Sequence, residues 1–214
     1  MIPAIKRFLV RQDSSLHEKA LSIIKLHNGS GLRNHKVSFV VLDGGRPIVF
    51  LKSVRFWLDE ALVQNAHQAL RNVDALSVSG TPKPLWIERI QGVLVCAETL
   101  FEGTSLDPAN QKDMKDAVEW LTIFAKKTNL SHGDFTPGNI LRGSDGKLRI
   151  IDWDGYGKIK SPLFDLLTLL TRSKVNPDMQ ERLIEEYMAD LGIEKTLLPS
   201  LKAEYEILDK KRKL

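Results

Sequence analysis

The sequence predicts an α+β protein of two lobes, an antiparallel five-stranded sheet followed by a short, mainly helical lobe. Short apolar runs separated by glycine-containing turns fill much of the first half, as is typical of β-hairpins. Apolar residues recur at helical spacing through most of the second half. We therefore predict a first lobe over residues 1–97, a hinge over 98–106 and a helical lobe over 107–214.

Length and composition are those of an ordinary globular chain, with 214 residues and 43% hydrophobic content. Aromatic residues are few and do not interleave with basic patches, so no nucleic-acid partner is expected. No apolar run is long enough for a membrane span. The single cysteine, Cys96, cannot form a disulfide within the chain, and we expect a cytoplasmic protein.

Five apolar runs in the first lobe have the length and alternation of β-strands. Turn residues separate them, most clearly the glycines at 44–45 and 92. A helix is predicted over 55–72, where apolar residues recur at helical spacing. The five predicted strands cover residues 23–27, 36–42, 48–53, 85–90 and 93–97.

Two features of these strands indicate contact with an anion. Gly29 and Gly31 lie in the loop between the first two strands, where glycine lets backbone N–H groups approach a phosphate closely. Lys52 lies in the third strand on the same face as Ile48 and Phe50, and a lysine in such apolar sequence is costly to bury without an anion. The alternatives are a plain hairpin loop and a lysine that reaches the surface.

The second lobe is predicted to contain several amphipathic helices. The pair Asp107–Pro108 is a typical helix start, and an apolar stripe continues from there to Thr128. Another helix is expected to begin within 161–167. Two more follow in the tail, with apolar stripes over 179–188 and 198–208.

Residues 131–154 hold two polar clusters joined by a predicted hairpin. Asp134 and Asn139 belong to the first cluster, and Asp152 belongs to the second. Two short apolar strands flank a turn at 144–147, so the hairpin returns the chain to the point from which it started. Two carboxylates and one amide are therefore expected to converge.

This set of groups suits phosphoryl transfer. The reaction needs a carboxylate to orient a hydroxyl or accept its proton, which is the role we assign to Asp134. It also needs hard oxygen ligands for Mg²⁺, for which Asn139 and Asp152 are suited. Asp, Asn, Gly and Pro also cluster in ordinary turns. Two such clusters at compatible spacing on one hairpin favour the chemical interpretation.

The stretch resembles the catalytic and metal-binding loops of the protein-kinase-like fold, in the aminoglycoside phosphotransferase and choline kinase branch. Kinases have His-Arg-Asp with an Asn five positions after the Asp. Asp134 and Asn139 keep this interval, while Gly133 replaces the arginine, as is typical of the small-molecule branch. The Asp-Trp-Asp at 152–154 stands where protein kinases have Asp-Phe-Gly.

The resemblance also implies roles for residues of the first lobe. Lys52 and the glycine loop before it would contact the phosphates of the donor. Glu60 would hold the lysine in place, and Asp59 is the competing candidate for that role. Glu98 and Leu100 would lie at the hinge, where backbone groups of the family bind the purine. The expected cofactors are Mg²⁺ and ATP, or GTP, as the phosphoryl donor.

In the second lobe, the resemblance implies that Asp165 supports the catalytic loop through hydrogen bonds. Four acidic residues in the tail either attract a cationic acceptor or form a solvated helix face. These residues are Glu181, Glu185, Glu186 and Asp190.

The expected activity is a kinase that transfers the γ-phosphoryl group to a hydroxyl of a small molecule. A sugar, an aminoglycoside-like, a choline-like or a glycolipid acceptor fits, and no obligate protein partner is indicated. The alternatives are an atypical protein kinase and a pseudokinase scaffold that binds nucleotide without catalysis.

Overall fold

A computed structural model describes residues 2–12, 16, 19–26, 36–54 and 60–213, the side chains of 212 and 213 excepted. The chain divides into two compact units. The first contains Met1–Asp74 and Pro82–Leu100, and the second contains Ala75–Thr81 and Phe101–Leu214. The predicted α+β architecture is confirmed. The assignment of 75–81 to the second unit departs from the sequential division predicted above.

The first unit contains the predicted five-stranded antiparallel sheet, in the order β1-β2-β3-β5-β4. Each strand begins and ends within two residues of its prediction. Two-residue turns join β2 to β3 and β4 to β5, and both residues of each turn have positive φ, as two-residue hairpins require. The strands are β1 (Leu21–Lys25), β2 (Lys36–Asp43), β3 (Arg46–Val54), β4 (Pro84–Ile90) and β5 (Val93–Thr99).

Helices cover both faces of this sheet. Helix α1 (Ile2–Gln12) packs its buried Ile5 and Leu9 in one cluster with Leu51 of β3. Helix α2 (Glu60–Ala75) contributes Val63 to a second cluster, which contains Cys96 of β5. Alternate strand residues point to opposite faces, so Leu51 and Cys96 belong to different clusters although their strands are paired. Helix α1 was not predicted, because residues 1–20 show no clear periodic pattern. Residues 55–59 of the other predicted helix lie outside the described residues.

The second unit contains the four predicted helices. They are α3 (Gln111–Thr128), α4 (Phe164–Thr171), α5 (Pro177–Asp190) and α6 (Leu198–Lys213). None of the helices described is both long and apolar enough to cross a membrane.

The start of α3 differs from the prediction at Asp107–Pro108. The side-chain oxygen of Asn110 accepts hydrogen bonds from the backbone N–H groups of Lys112 and Asp113, at 2.9 and 3.2 Å. Asn is among the best N-cap residues, so the helix begins directly after it. The carboxylate of Asp107 instead accepts the N–H of Ala109 at 2.9 Å, within the preceding turn.

A small three-stranded sheet carries the predicted hairpin of residues 139–151. Its strands are β6 (Thr104–Ser105), β7 (Ile140–Arg142) and β8 (Leu148–Ile150). Strand β6 was not predicted, because two residues carry no periodic signal.

The segment 75–81 lies against β8 and explains why this part of the chain joins the second unit. The carbonyl of Gly80 accepts the N–H of Ile150 at 2.7 Å. Gly80 has φ +77°, and a Cβ there would come within 2.4 Å of the carbonyl oxygen of Leu148. Only glycine therefore permits this approach. The indole of Trp120, on α3, donates to the carbonyl of Ser79 at 2.9 Å and holds the same segment.

Arg142, at the end of β7, ties the small sheet to α3. One of its nitrogens lies 2.6 Å from Asp113 and 2.8 Å from Asp116. Its other terminal nitrogen donates to the carbonyl of Gly146 in the hairpin turn at 2.8 Å. The planar guanidinium thus joins the helix to the hairpin turn.

We expect Arg142→Ala to lower the free energy of unfolding by about 1–2 kcal/mol, because it removes a partly buried network of charge-assisted hydrogen bonds. Urea unfolding followed by circular dichroism measures the change. Arg142→Lys is the control and should lose less, since it keeps the charge. Equal stability of the alanine variant and the wild type would contradict this role.

Candidate active site

The turn from Asp134 to Asn139 brings the two predicted side chains into contact. The amide nitrogen of Asn139 donates to the backbone carbonyl of Asp134 at 2.9 Å and to its carboxylate at 3.0 Å. A 3₁₀ turn over Pro137–Asn139 fixes the backbone, and the N–H of Asn139 bonds the carbonyl of Thr136 at 2.9 Å. The interval of five positions between Asp134 and Asn139 is therefore what lets the Asn139 amide close this turn onto Asp134.

The hairpin returns the chain just before Asp152 to Asn139. Ile140 pairs with Ile150 across β7 and β8, and the N–H of Ile151 donates to the carbonyl of Asn139 at 2.9 Å. Asp152 follows immediately in the left-handed region, at φ +61° and ψ +67°. Non-glycine residues seldom adopt this conformation, and it recurs at functional sites. The backbone next to Asp152 thus lies beside Asn139, and the convergence of all three side chains stays a prediction.

The donor set fits Mg²⁺. Asn139 and Asp152 supply an amide and a carboxylate oxygen, and Mg²⁺ is usually held by one or two protein groups together with water and phosphate oxygens. No cluster of three or more His, Cys, Asp or Glu side chains that could hold a metal occurs in the described part of the chain. A dedicated protein cage of that kind is not what Mg²⁺ requires.

His132 links the two clusters. The backbone N–H of Asp134 donates to its Nδ1 at 3.3 Å, and its Nε2 lies 3.1 Å from the carbonyl oxygen of Ile151. Since Nδ1 accepts, the proton of a neutral ring lies on Nε2, which can donate to that carbonyl. The ring is fully buried and packs edge-on against Trp153 at 4.6 Å. This agrees with a role in shaping the loop.

Asp165 supports the loop that contains His132 and Gly133 through hydrogen bonds, as the resemblance implied. Its two carboxylate oxygens accept the backbone N–H groups of His132 and Gly133, at 2.5 and 2.9 Å. Asp165 lies in the first turn of α4 and is 3% exposed. The N-terminal end of a helix favours a carboxylate, so the same residue stabilises the helix and orders the loop.

Gly133 is required by close packing of two backbone segments. It has φ +86°, and a Cβ at this position would lie 2.3 Å from the carbonyl oxygen of Gly155. A Cβ on Gly155 would in turn lie 2.9 Å from the carbonyl oxygen of His132. The arginine that protein kinases carry at the position of Gly133 would not fit, because the segment after Asp154 occupies the space.

In the first unit, the predicted strand lysine is buried beside a carboxylate. Lys52 Nζ lies 3.5 Å from Oε2 of Glu98, and both side chains are less than 10% exposed. Lys52 pairs with Cys96 across β3 and β5, so Glu98, two residues further along, lies on the same face. Burial and the charge of Glu98 raise the pKa of Cys96 to about 12, so its thiol stays protonated.

The partner predicted for Lys52 was Glu60, and the structure shows a different pairing. The two carboxylate oxygens of Glu60 accept hydrogen bonds from the two terminal nitrogens of Arg89, at 2.7 and 2.5 Å. These hydrogen bonds and the charge of Glu60 raise the pKa of Arg89. A planar guanidinium matches both oxygens of a carboxylate, which a lysine ammonium cannot do. Asp59, the competing candidate, lies outside the described residues.

Glu98 was missed as the lysine's partner, although strand pairing contains the signal. Lys52 and Glu98 lie near each other because β3 pairs with β5. This pairing joins distant parts of the chain, and periodicity in the sequence does not reveal it. Strand β5 also continues to Thr99, whose N–H donates to the carbonyl of Lys83 at 3.0 Å. Leu100 follows the strand, and the purine contacts assigned to Glu98 and Leu100 stay predictions. The predicted phosphate loop with Gly29 and Gly31 lies outside the described residues.

A family model described as the phosphotransferase enzyme family matches residues 58–203. No curated protein shows a significant sequence match to the chain. Among solved structures, aminoglycoside phosphotransferase APH(3'')-Id from Streptomyces rimosus matches with a TM-score of 0.63 at 15% identity, over 96% of this chain and 97% of that one.

Two nucleotide complexes match as well. The GDP complex of wild-type aminoglycoside 2'-phosphotransferase-IIIa has a TM-score of 0.66 at 14% identity, over 97% of this chain and 87% of that one. The GDP and kanamycin complex of APH(2")-IIia has a TM-score of 0.60 at 14% identity, over 96% of this chain and 89% of that one. At these identities the structural likeness establishes the shared fold.

We expect Gly133→Ala to lower the free energy of unfolding by roughly 2–4 kcal/mol, because the new methyl group meets a backbone oxygen that no side-chain movement can displace. Gly146→Ala is the matched control, since Gly146 also has positive φ but has open space around its Cβ position. It should cost only about 1 kcal/mol, from conformation alone. Equal losses in urea unfolding would contradict the close packing.

Glu98→Gln and Glu60→Gln test the pairing of Lys52. We expect Glu98→Gln to be the more destabilising in urea unfolding, by roughly 1–3 kcal/mol, because it removes a charge beside a buried ammonium. Glu60→Gln weakens a pair whose arginine is 57% exposed, and its effect should be smaller. The reverse order would restore Glu60 as the important carboxylate.

Proposed function

Because the chain belongs to the phosphotransferase enzyme family, we propose that it transfers the γ-phosphoryl group of ATP to a hydroxyl of a small molecule. The observation that supports this proposal is the joining of Asp134, Asn139 and Ile151 by hydrogen bonds, since Asp152 follows Ile151 directly in the chain. A general-base carboxylate beside two oxygen ligands is the arrangement that phosphoryl transfer uses.

Asp134 is proposed as the catalytic base. Its carboxylate accepts the Asn139 amide at 3.0 Å, and this contact fixes the orientation of the carboxyl group. It would orient the acceptor hydroxyl and take its proton as the hydroxyl oxygen bonds to the γ-phosphorus. The bond from that phosphorus to the bridging oxygen breaks, and ADP leaves. Positioning of this kind supplies much of the rate, since the protein forms no covalent bond itself.

Asn139 and Asp152 are proposed to hold Mg²⁺. When bound, the metal would neutralise charge on the donor phosphates during transfer. The left-handed backbone at Asp152 and the hydrogen bond between Ile151 and Asn139 keep the two ligand residues on neighbouring backbone positions. His132 contributes by connecting the loops that carry them.

Lys52 is proposed to contact the phosphates of the donor. Its ammonium is buried beside Glu98, which holds the lysine at a defined place on the sheet. A buried cation is a strong partner for a phosphate, because little water screens the interaction. Glu98 is therefore proposed as a positioning residue for Lys52 in place of Glu60.

ATP is the proposed donor, and GTP is the competing one, since two structural neighbours were solved with GDP. The acceptor is proposed to be a hydroxyl-bearing small molecule such as a sugar. The structural neighbours are named as phosphotransferases of aminoglycosides, which are sugar derivatives with hydroxyl groups. A cytoplasmic location is proposed from the single, buried Cys96.

A screen of hydroxyl-bearing metabolites with Mg²⁺ and either ATP or GTP, read as release of ADP or GDP, tests the proposal. Asp134→Asn should lower acceptor-dependent release by roughly 100- to 10,000-fold, because a general base is lost. Nucleotide binding, measured by calorimetry, should stay close to that of the wild type, since Asp134 does not hold the donor.

Asp145→Asn is the matched control for this prediction. Asp145 lies in the turn of the same hairpin, where it binds Arg149 at 2.8 Å. Its loss should leave the release of ADP nearly unchanged. Full activity of Asp134→Asn, or absence of Mg²⁺-dependent nucleotide binding in the wild type, would refute the proposed reaction.

A further inference from the structure

The segment that follows Asp154 is fastened to the catalytic loop on both sides of Lys158. The N–H of Gly157 donates to the carbonyl of Ser131 at 2.9 Å. The hydroxyl of Ser131 donates to the carbonyl of Ile159 at 2.5 Å. The backbone of Lys158 is thus held beside Ser131, only three residues before Asp134.

The short stretch of chain from Ser131 to Asp134 limits how far the backbone of Lys158 can lie from Asp134. Three residues span at most roughly 11 Å of extended chain, and this loop is tighter because the N–H of Asp134 turns back to His132. The flexible four-carbon stem of lysine shortens the remaining gap. A sugar-sized acceptor whose hydroxyl meets Asp134 can therefore present a second group to Lys158.

Lys158 is an exposed cation in the short basic segment that follows Asp154. Its side chain is exposed, and among the described residues no carboxylate forms an ion pair with it. Residues 155–163 contain two lysines and no acidic residue. The carboxylates of Asp134 and Asp152 are assigned to the hydroxyl and the metal under the proposed function. An exposed cation beside the loop attracts an anionic partner.

The acidic residues that could have attracted a cationic acceptor are mostly paired. Glu185 lies 2.8 Å from Lys195, and Asp190 lies 3.3 Å from Lys126. Glu186 lies 3.9 Å from Arg182 on the same helix. Such ion pairs are expected if this face of α5 is an ordinary solvated surface. They also reduce the attraction that the helix exerts on a cation.

We propose that the acceptor is an acidic sugar or a similar polyol, and that Lys158 binds its phosphate or carboxylate group. This inference rests on the proposed function and specifies its substrate class. Lys158 is then a specificity-determining residue, because it selects an anionic acceptor over neutral and cationic ones without taking part in the transfer itself.

Lys160, two residues away, supplies a matched control. It is also exposed, but it lines a cavity of about 540 Å³ together with Leu121, Asp165 and Tyr187. Asp165 binds the catalytic loop through the backbone N–H groups of His132 and Gly133, which is a structural role. Loss of the Lys160 charge should therefore leave acceptor binding unchanged.

The experiment uses acceptor sets that share one ring and differ in charge: glucose, glucose 6-phosphate, glucuronate and glucosamine, with the corresponding galactose and mannose sets. ADP release measures kcat and KM for each. We expect the highest kcat/KM for an anionic member. Lys158→Gln should raise the KM of that acceptor roughly 10- to 100-fold, as for the loss of a charge-assisted hydrogen bond.

The variants also separate binding from chemistry. Lys158→Gln should leave kcat and the KM for ATP nearly unchanged, Lys158→Arg should restore acceptor KM, and Lys160→Gln should behave as the wild type. Preference for a neutral or amino sugar, or an unchanged KM in Lys158→Gln, overturns the anionic acceptor and leaves the proposed kinase activity standing. Lack of ADP release with every acceptor, including those of the wider metabolite screen, counts against the proposed function itself.

Discussion

The carboxylate of Asp165 is the contact on which the candidate site depends. It accepts two consecutive backbone N–H groups, of His132 and Gly133, in an interior where unpaired N–H groups are costly. With that backbone held, His132 can bond Ile151, and the turn from Asp134 to Asn139 can close. A single acidic side chain at the start of a short helix thus orders residues that lie more than thirty positions earlier.

The first unit uses a comparable device for its lysine. Glu98 lies in the strand next to Lys52, so the sheet alone determines their separation. In protein kinases the corresponding lysine pairs with a helix glutamate, and the position of that helix controls activity. A carboxylate within the sheet keeps its place without any helix movement. The short segment after Asp154 fits the same picture, since it packs directly on the catalytic loop.

Local patterns predicted much of this molecule, and long-range pairing explains most of what they missed. Strand alternation and turn glycines located all five strands of the sheet, and the spacing from Asp134 to Asn139 indicated two side chains that the structure brings into contact. Glu60 was predicted as the partner of Lys52, with Asp59 as the competitor, because recognising Glu98 requires knowing that β3 and β5 are neighbours. The pairing of Asp190 with Lys126 likewise joins residues far apart in the chain.

The contact between Gly133 and Gly155 restricts how such a chain can diverge. Each glycine is confined by main-chain atoms of the other segment, and main-chain atoms are present whatever residue occupies the position. A larger residue at one site therefore has no compensating replacement at the other. The two positions are expected to remain glycine together through descent, until an insertion or deletion reroutes one of the segments.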